Sequence, residues 1–432
     1  MDRREQRRKA IIRRRIFIAC VCAVLAITIA AIGFGVNAII KSVKSQGDKP
    51  SGESLPQSVT SGDTVSENNN KKKTATVINT GDILIHDNLL WGAKQADGGY
   101  DFSAFFKESR SIIDSADFAV ANLEVTLGGE AAGSYRGYPG FNSPDSLIDN
   151  LKSDGFDLLL TSNNHSLDTG LAGLKRTVQQ LKARGMGFLG TKETESDPTY
   201  IVKSINGIKI GMVCYTYGTN SSAAGAASLI NTFSNSNLDG FYSAAQSVIS
   251  SMESDGAEAI VFYMHWGEEY KTSPNTYQKS IAQRLCNMGV DVIVGGHPHV
   301  LQPIDLIYSE DSQNTTVCLY SMGNAISNQR IEEMTGPCTT GHTEDGLFFS
   351  YSFSKDADSE VVLSGVDIIP TWVNRYGNRG DYDYTVYPMK NADMADSYGL
   401  DADTARKARA SYDRTMAIVG EGLKKCKDAI EG

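Results

Sequence analysis

The chain has 432 residues, a formal net charge of −10 and 41 % hydrophobic side chains. That length can bury a large core, as one large domain or two small ones. The acidic balance excludes a general binder of nucleic acid, and an anionic polymer could be handled only with bound cations or a local basic groove to overcome repulsion.

From the N terminus, eight basic residues (Arg3, Arg4, Arg7, Arg8, Lys9, Arg13, Arg14 and Arg15) precede an uncharged run from Ile16 to Ile40. As a helix this run would reach about 38 Å, against a bilayer core of about 30 Å. The basic flank should stay in the cytoplasm, which puts everything after Lys41 outside the cell. The expectation is a cytoplasmic tail over 1–15 and a single-pass anchor over 16–41. A cleaved signal peptide is the weaker alternative, because the run is long and Val36-Asn37-Ala38 is a poor cleavage site. Residues 42–73 are rich in Ser, Gly, Asn, Lys and Pro and read as a flexible linker spanning on the order of 30 Å. Since the first fifteen residues hold eight basic and two acidic side chains, the remainder carries about −16.

Beyond the linker the chain alternates two periodicities. Strands are predicted at Ala75–Asn79, Phe118–Asn122, Phe156–Thr161, Ile208–Tyr215, Ala259–Met264, Val290–Val294 and Val317–Tyr320. Helical spacing is read over Gly170–Arg184, Phe241–Met252 and Tyr277–Met288. This alternation predicts an α/β fold with a mainly parallel or mixed sheet and helices outside it. Leu347–Phe353 and Glu360–Ile369 read as consecutive strands of a second, antiparallel sheet region. The main domain is expected over 74–372. The remainder, 373–432, is expected to be an extension with a peripheral polar helix over Ala402–Cys426. Of the five cysteines outside the apolar run, Cys318 and Cys338 bracket one loop and are the best disulfide pair, set against ordinary buried thiols. No cysteine spacing resembles a zinc site.

Five of the six histidines sit in or beside polar clusters that follow strand-like runs. Asp82 and His86 follow the first strand, and Asn122 and Glu124 the second. Asn163, Asn164 and His165 follow the third, and His265-Trp266 comes later. His297-Pro298-His299 follows Val290–Val294. Ligands bind at the carboxyl ends of strands in open α/β sheets. Imidazole, carboxylate and amide oxygen make a ligand set for divalent metal. In extended backbone His297 and His299 would point the same way, and Pro298 favours that extension. Asp168 is read as a cap for the following helix. Ser321-Met322-Gly323-Asn324 is read as a tight turn lining the same edge. His342 is read as loop decoration.

The ordered motifs Gly81-Asp82, Asn122-Leu123-Glu124, Asn163-Asn164-His165-Ser166-Leu167-Asp168, His265-Trp266-Gly267, Gly296-His297-Pro298-His299-Val300 and Ser321-Met322-Gly323-Asn324 resemble those of the bacterial poly-γ-glutamate capsule-synthesis (CapA) family. The likeness runs from about Thr76 to Asn328. That family is similar to the calcineurin-like metallophosphoesterases, so the resemblance implies a four-layer α-β-β-α sandwich. It further implies one or two divalent ions (Mn, Zn, Fe or Mg) held by Asp82, Glu124, Asn164, His265, His297 and His299. His165 would be the general acid, and His86, Asn122, Asn163, Trp266, Ser321 and Asn324 would line the site. Two positions depart from the metallophosphoesterase pattern. Leu84 stands where a histidine is usual, with His86 displaced by two, and Glu124 replaces the bridging aspartate. The implied role is in capsule or cell-wall polymer synthesis, by metal-assisted hydrolysis or by binding polymer without cleaving it. The implied partners are an anionic surface polymer or its precursor and a membrane synthetase complex.

Overall fold

The computed structural model of the chain describes residues 72–431, apart from 224, 312, 357 and 358. The expected tail, anchor and nearly all of the linker lie outside the described residues. Among the described residues no helix is long and apolar enough to cross a membrane.

In chain order the strands are β1 (Lys73–Ile83), β2 (Phe118–Leu123), β3 (Leu158–Leu160), β4 (Gly187–Leu189), β5 (Tyr200–Ile205), β6 (Ile208–Thr216), β7 (Ala259–His265), β8 (Val292–Gly296), β9 (Leu301–Tyr308), β10 (Thr315–Met322), β11 (Asn324–Ile326), β12 (Asp345–Lys355), β13 (Val362–Asn378) and β14 (Asp381–Pro388). Among the described residues they make two sheets. One has eight strands, in the order β14-β13-β12-β1-β2-β3-β4, with β11 also pairing β1; the other has six, in the order β5-β6-β7-β8-β10-β9. The fold is mixed α/β. β1 to β4 pair in parallel, as do β6, β7, β8 and β10. The apolar runs explain this, because β2, β7 and β8 are buried at every residue, as parallel strands covered on both faces must be.

A core of Val77, Val120, Leu160, Val261, Val294, Leu319, Phe349 and their neighbours joins residues of both sheets. A second packs the eight-stranded sheet against the helices Asp87–Ala93, Ser146–Ser153 and Gly170–Ala183. A third packs the six-stranded sheet against the helices Leu238–Ser254 and Thr276–Asn287. Burying each large aliphatic or aromatic side chain in such cores contributes about 1.5–3 kcal/mol. One polar bridge crosses the inner core. The Tyr263 hydroxyl donates to Asn79 Oδ1 at 3.0 Å and meets the Tyr351 hydroxyl at 3.1 Å, which fixes β7 against β1 and β12.

Several expectations are corrected. The strands after residue 345 are not a separate sheet: β12 pairs antiparallel with β1 and extends the eight-stranded sheet. A boundary at 372 would cut β13 in two. Residues 70–432 form one compact unit. The C-terminal helix, Ala402–Glu431, is not peripheral. Ala405 and Ala408 pack on Trp372 and Met389, while Val419, Leu423 and Cys426 enter the core shared by both sheets. The Arg414 guanidinium pins the helix by donating to both oxygens of buried Asp345, at 2.8 and 2.6 Å. The segment Ser321–Asn324 is not a tight turn. Gly323, at φ 64°, sits between β10 of one sheet and β11 of the other. Cys318 and Cys338 are free, buried thiols.

A Cβ on Gly422 would collide with the Ile304 carbonyl of β9. On an exposed helix, glycine to alanine stabilises by about 1 kcal/mol. Gly422→Ala is expected to destabilise the protein instead, measured as a lower midpoint in denaturant unfolding.

Candidate metal centre

Parallel pairing brings the carboxyl ends of β1, β2, β3, β7 and β8 to one edge of the molecule. In register, Asp82 lies opposite Asn122 on β2 and Asn324 on β11, and His265 lies opposite Gly296. The register slips at Asp82 on both sides, as a bulge does, and bulges beside sites re-aim side chains. Two glycines make room. A Cβ on Gly81 would strike the Gly323 carbonyl, and one on Gly296 would stand 2.9 Å from Asp82 Oδ1.

The predicted donors converge. Asp82, Glu124 and His265 each offer an atom within 4.8 Å of the others, as do Glu124, His297 and His299. All five are buried. Asn164 Oδ1 is 2.7 Å from His265 Nε2, which is 3.5 Å from Glu124 Oε1. His299 Nε2 is 4.0 Å from the same oxygen. Ligand atoms around one cation with bonds of about 2.1 Å stand about 3 Å apart at right angles, so this spacing suits a shared ion. Asn122 donates to Asp82 Oδ1 at 2.7 Å and lies 3.4 Å from Glu124 Oε2.

The extended backbone expected at the paired histidines does not form. His297 and His299 have φ of 96° and 58°, so the backbone is left-handed at both rather than extended. Their rings still stand near each other, with centroids 5.9 Å apart. Non-glycine residues in this region cost of order 1–3 kcal/mol, and such strain clusters at functional sites. The His297 amide donates to Asp82 Oδ2 at 3.2 Å, which ties this turn to the other sheet.

The surrounding groups set a tautomer. Asn324 Nδ2 faces the Thr343 carbonyl at 3.0 Å, which can only accept. Its Oδ1 therefore faces His299 Nδ1, 3.1 Å away, and that nitrogen carries the proton. His299 Nε2 is left bare toward Glu124, as a metal ligand requires.

Electrostatics tell the same story. Burial pushes the Glu124 carboxyl well above the usual range, and the Asp82 charge adds to the shift. Burial opposes ionisation of Asp82 too, but its contacts with His299, the nearby His265 ring and the Asn122 hydrogen bond outweigh that and hold it low. Burial presses His265 down to about 3, and pushes His297 well below its usual value with help from His265 and His299. His265 and His297 are thus neutral. Glu124 Oε1 and His297 Nδ1 are buried with no hydrogen-bond partner among the described residues. Native interiors rarely leave such atoms unpaired. A cation would supply what the buried Glu124 carboxyl lacks for ionising and what the bare His297 nitrogen lacks as a partner, so the donor set fits a divalent ion.

Beside this cluster His165 Nδ1 lies 2.7 Å from Asp168 Oδ2. Asp168 also accepts from the Phe141 amide at 2.8 Å. It is therefore not the helix cap: Thr169 takes that position. His165 Nε2 lies 3.4 Å from Asn220 Nδ2. Sequence reading passed over Asn220, and also Tyr217, whose ring lies 4.7 Å from that of His297. Both follow β6, a strand whose end carries no acid or histidine to flag it. Asn163 braces the third strand end by donating to the Leu123 carbonyl at 2.9 Å. Trp266 and Ser321 bond backbone carbonyls, of Tyr320 and Val300 respectively. Both are buried scaffold. His86 is outside the ligand groups. Its Nδ1 accepts from the Asn328 amide at 3.3 Å, and its ring packs edge-on against Phe141, which also meets His165.

Residues 76–329 match the family described as bacterial capsule synthesis protein PGA_cap, more than half of the chain. The chain belongs to this family. Two relatives agree with the PGA_cap assignment. The PGA biosynthesis protein CapA of Bacillus subtilis (strain 168) is 29 % identical over 223 residues, 50 % of this chain and 52 % of that one. The capsule biosynthesis protein CapA of Bacillus anthracis is 26 % identical over 270 residues, 61 % of this chain and 62 % of that one. This chain thus spans between half and two thirds of the length of these curated relatives. Among solved structures, Haemophilus influenzae NAD nucleotidase aligns with 81 % of this chain and 57 % of its own at a TM-score of 0.43 and 12 % identity.

Burial lowers His86 to about 4, with the Leu84 carbonyl opposing and the His299 and His165 charges adding. The unfolded chain takes up a proton near pH 6.5 that the folded chain refuses until about pH 4, so His86 contributes stability above pH 6.5 that is lost as the pH falls toward 4. Between pH 7 and 5 this amounts to roughly 2 kcal/mol. His86→Gln is expected to remove that share of the acid-induced loss, seen by comparing denaturant midpoints of chelated wild type and variant at the two pH values.

Proposed function

We propose that this PGA_cap protein acts outside the cell in capsule or cell-wall polymer synthesis, through a metal-dependent hydrolase-like site on a four-layer sandwich of metallophosphoesterase type. One observation carries the reading: two carboxylates, three imidazoles and an amide oxygen from five strand ends of two sheets meet in a buried cluster with unpaired acceptors. Asp82, Glu124, Asn164, His265, His297 and His299 would hold one or two divalent ions. Such an ion supplies Lewis-acid polarisation and a bound water acidified toward a pKa of about 7.

The protein's own residues do the rest. Asp168 accepts from His165 Nδ1 and so fixes the ring, which leaves Nε2 to carry the mobile proton. That nitrogen can protonate a departing oxygen or nitrogen, a contribution of about 10²–10⁴ in rate. Asn220 Nδ2, 3.4 Å from Nε2, is a donor to that nitrogen once its proton has left. The substrate class is a phosphoester or the amide of an anionic surface polymer; the two CapA relatives are named for PGA and capsule biosynthesis. A cation at the site offsets the repulsion between this acidic chain and a polyanion. The basic tail and apolar run would anchor the protein in the membrane, beside a synthetase complex that makes the polymer.

Full-length protein purified in detergent is expected to carry divalent metal by elemental mass spectrometry, and Asp82→Asn with His297→Ala to lose it. His165→Gln should keep the metal yet lose at least about 10²-fold in hydrolysis of a generic phosphodiester or of poly-γ-glutamate. A metal-loaded wild type that cleaves neither would leave only a polymer-binding role.

A further inference from the structure

The loop between β2 and the helix Ser146–Ser153 is pinned to the site edge at two points. The Gly137 amide donates to Asp87 Oδ1 at 2.7 Å, and the Phe141 amide to Asp168 Oδ2 at 2.8 Å. Asp87 follows the end of β1, and Asp168 holds His165 beyond the end of β3. A Cβ on Gly137 would strike the backbone of His86 and Asp87, so the loop lies directly on that strand end. Within the loop, Arg136 and Asn142 exchange both backbone hydrogen bonds, at 3.0 and 2.9 Å. The buried Asn142 Nδ2 faces the carbonyls of Gly129, Gly133 and Ser134. The tip between residues 137 and 141 is therefore held in place from both sides.

Beside this tip stands a guanidinium with one edge unused. Half-buried Arg136 donates through Nη1 to the carbonyls of Ala132 and Ser134, at 3.1 and 3.2 Å. Its Nε and Nη2 have no hydrogen-bond partner among the described residues. Those two nitrogens form the edge that takes a carboxylate or phosphate through two parallel bonds. The space before them is open because residue 140 is glycine. A Cβ there would stand 3.9 Å from Nε, 4.0 Å from Nη2 and 3.8 Å from the Asp168 carbonyl oxygen. The open space thus lies between the fork and the residue that fixes His165. From the opposite side of the edge, burial and then Glu269 and Cys338 push the Tyr270 phenol upward, and Tyr138 of the tip adds to that shift. The tip therefore reaches toward the loop leaving β7, where the Tyr270 ring centroid lies 6.0 Å from that of His299.

We propose that Arg136 binds, through Nε and Nη2, a carboxylate or phosphate carried by the substrate unit next to the reacting bond, on the leaving-group side that His165 serves. The inference rests on the function proposed above and adds the residue that recognises the charge of its substrate. An acidic chain must supply a local cation to hold a polyanion, and this one stands outside the metal cluster. None of the sequence motifs contains Arg136.

The test uses full-length protein in detergent, loaded with Mn²⁺, and two fluorescent probes read by anisotropy: an oligomer of γ-linked glutamate and an oligomer of glycerol phosphate. The wild type is expected to bind at least one, and its preference tells carboxylate from phosphate. Arg136→Gln is expected to bind the preferred oligomer about tenfold more weakly, as the loss of a charge-assisted pair implies, with metal content unchanged. Gly140→Val keeps the guanidinium and fills the space before it, and the added Cβ meets its neighbours at ordinary contact distance. It is expected to show the same loss. Wild-type affinity in both variants overturns the role of Arg136 and leaves the metal site standing. A wild type that holds metal and binds neither oligomer also overturns this inference alone. A wild type that holds no metal overturns the function proposed above, and this inference with it.

Discussion

The buried carboxylate of Asp82 is the tie on which the site depends. It accepts from Asn122 on its own sheet and from the His297 amide on the other, while its own amide donates to the Gly323 carbonyl at 3.0 Å. A carboxylate this deep is tolerated only when donors surround it. Those donors come from both sheets, so the demand for satisfaction holds the two sheet edges at one spacing. The imidazoles and Glu124 then hang from a frame whose separation is already set.

Much of this frame was legible in the amino-acid sequence. Apolar runs such as Ile260-Val261-Phe262-Tyr263-Met264 announce a strand covered on both faces, and a histidine straight after the run announces a strand end. Parallel pairing does the rest, because it puts all such ends on one edge. Strand ends therefore offered a pool of donors from positions far apart in the chain, and the resemblance to the CapA family narrowed it to Asp82, Glu124, Asn164, His265, His297 and His299.

What escaped the reading has physical reasons. Left-handed backbone at His297 and His299 is imposed by tertiary contact, and local preference around Pro298 argues the other way. Asp168 sits where a helix cap would sit, and only the packed structure shows that His165 and the Phe141 amide claim its carboxylate. The helix 402–431 seemed polar because its buried stripe is made of alanines, Val419, Leu423 and Cys426 among charged neighbours. Small residues give a weak hydropathy signal even when they pack closely. Asn220 and Tyr217 carry no charge change and end no conspicuous run.

The switch at Gly323 has a consequence for how the molecule is made. β1 is the first strand of the described fold, and its partner on one side, at Asn122, lies 40 residues on. Its partner on the other side, at Phe349, lies 270 residues from Asn79. A chain emerging from its N terminus therefore carries a bare, strand-competent edge until β12 has appeared. Distant pairing of this kind is slow, and an exposed edge invites association with other chains. The pairing that closes this sheet is thus a late event, and the open edge is the part of the nascent protein most exposed to association.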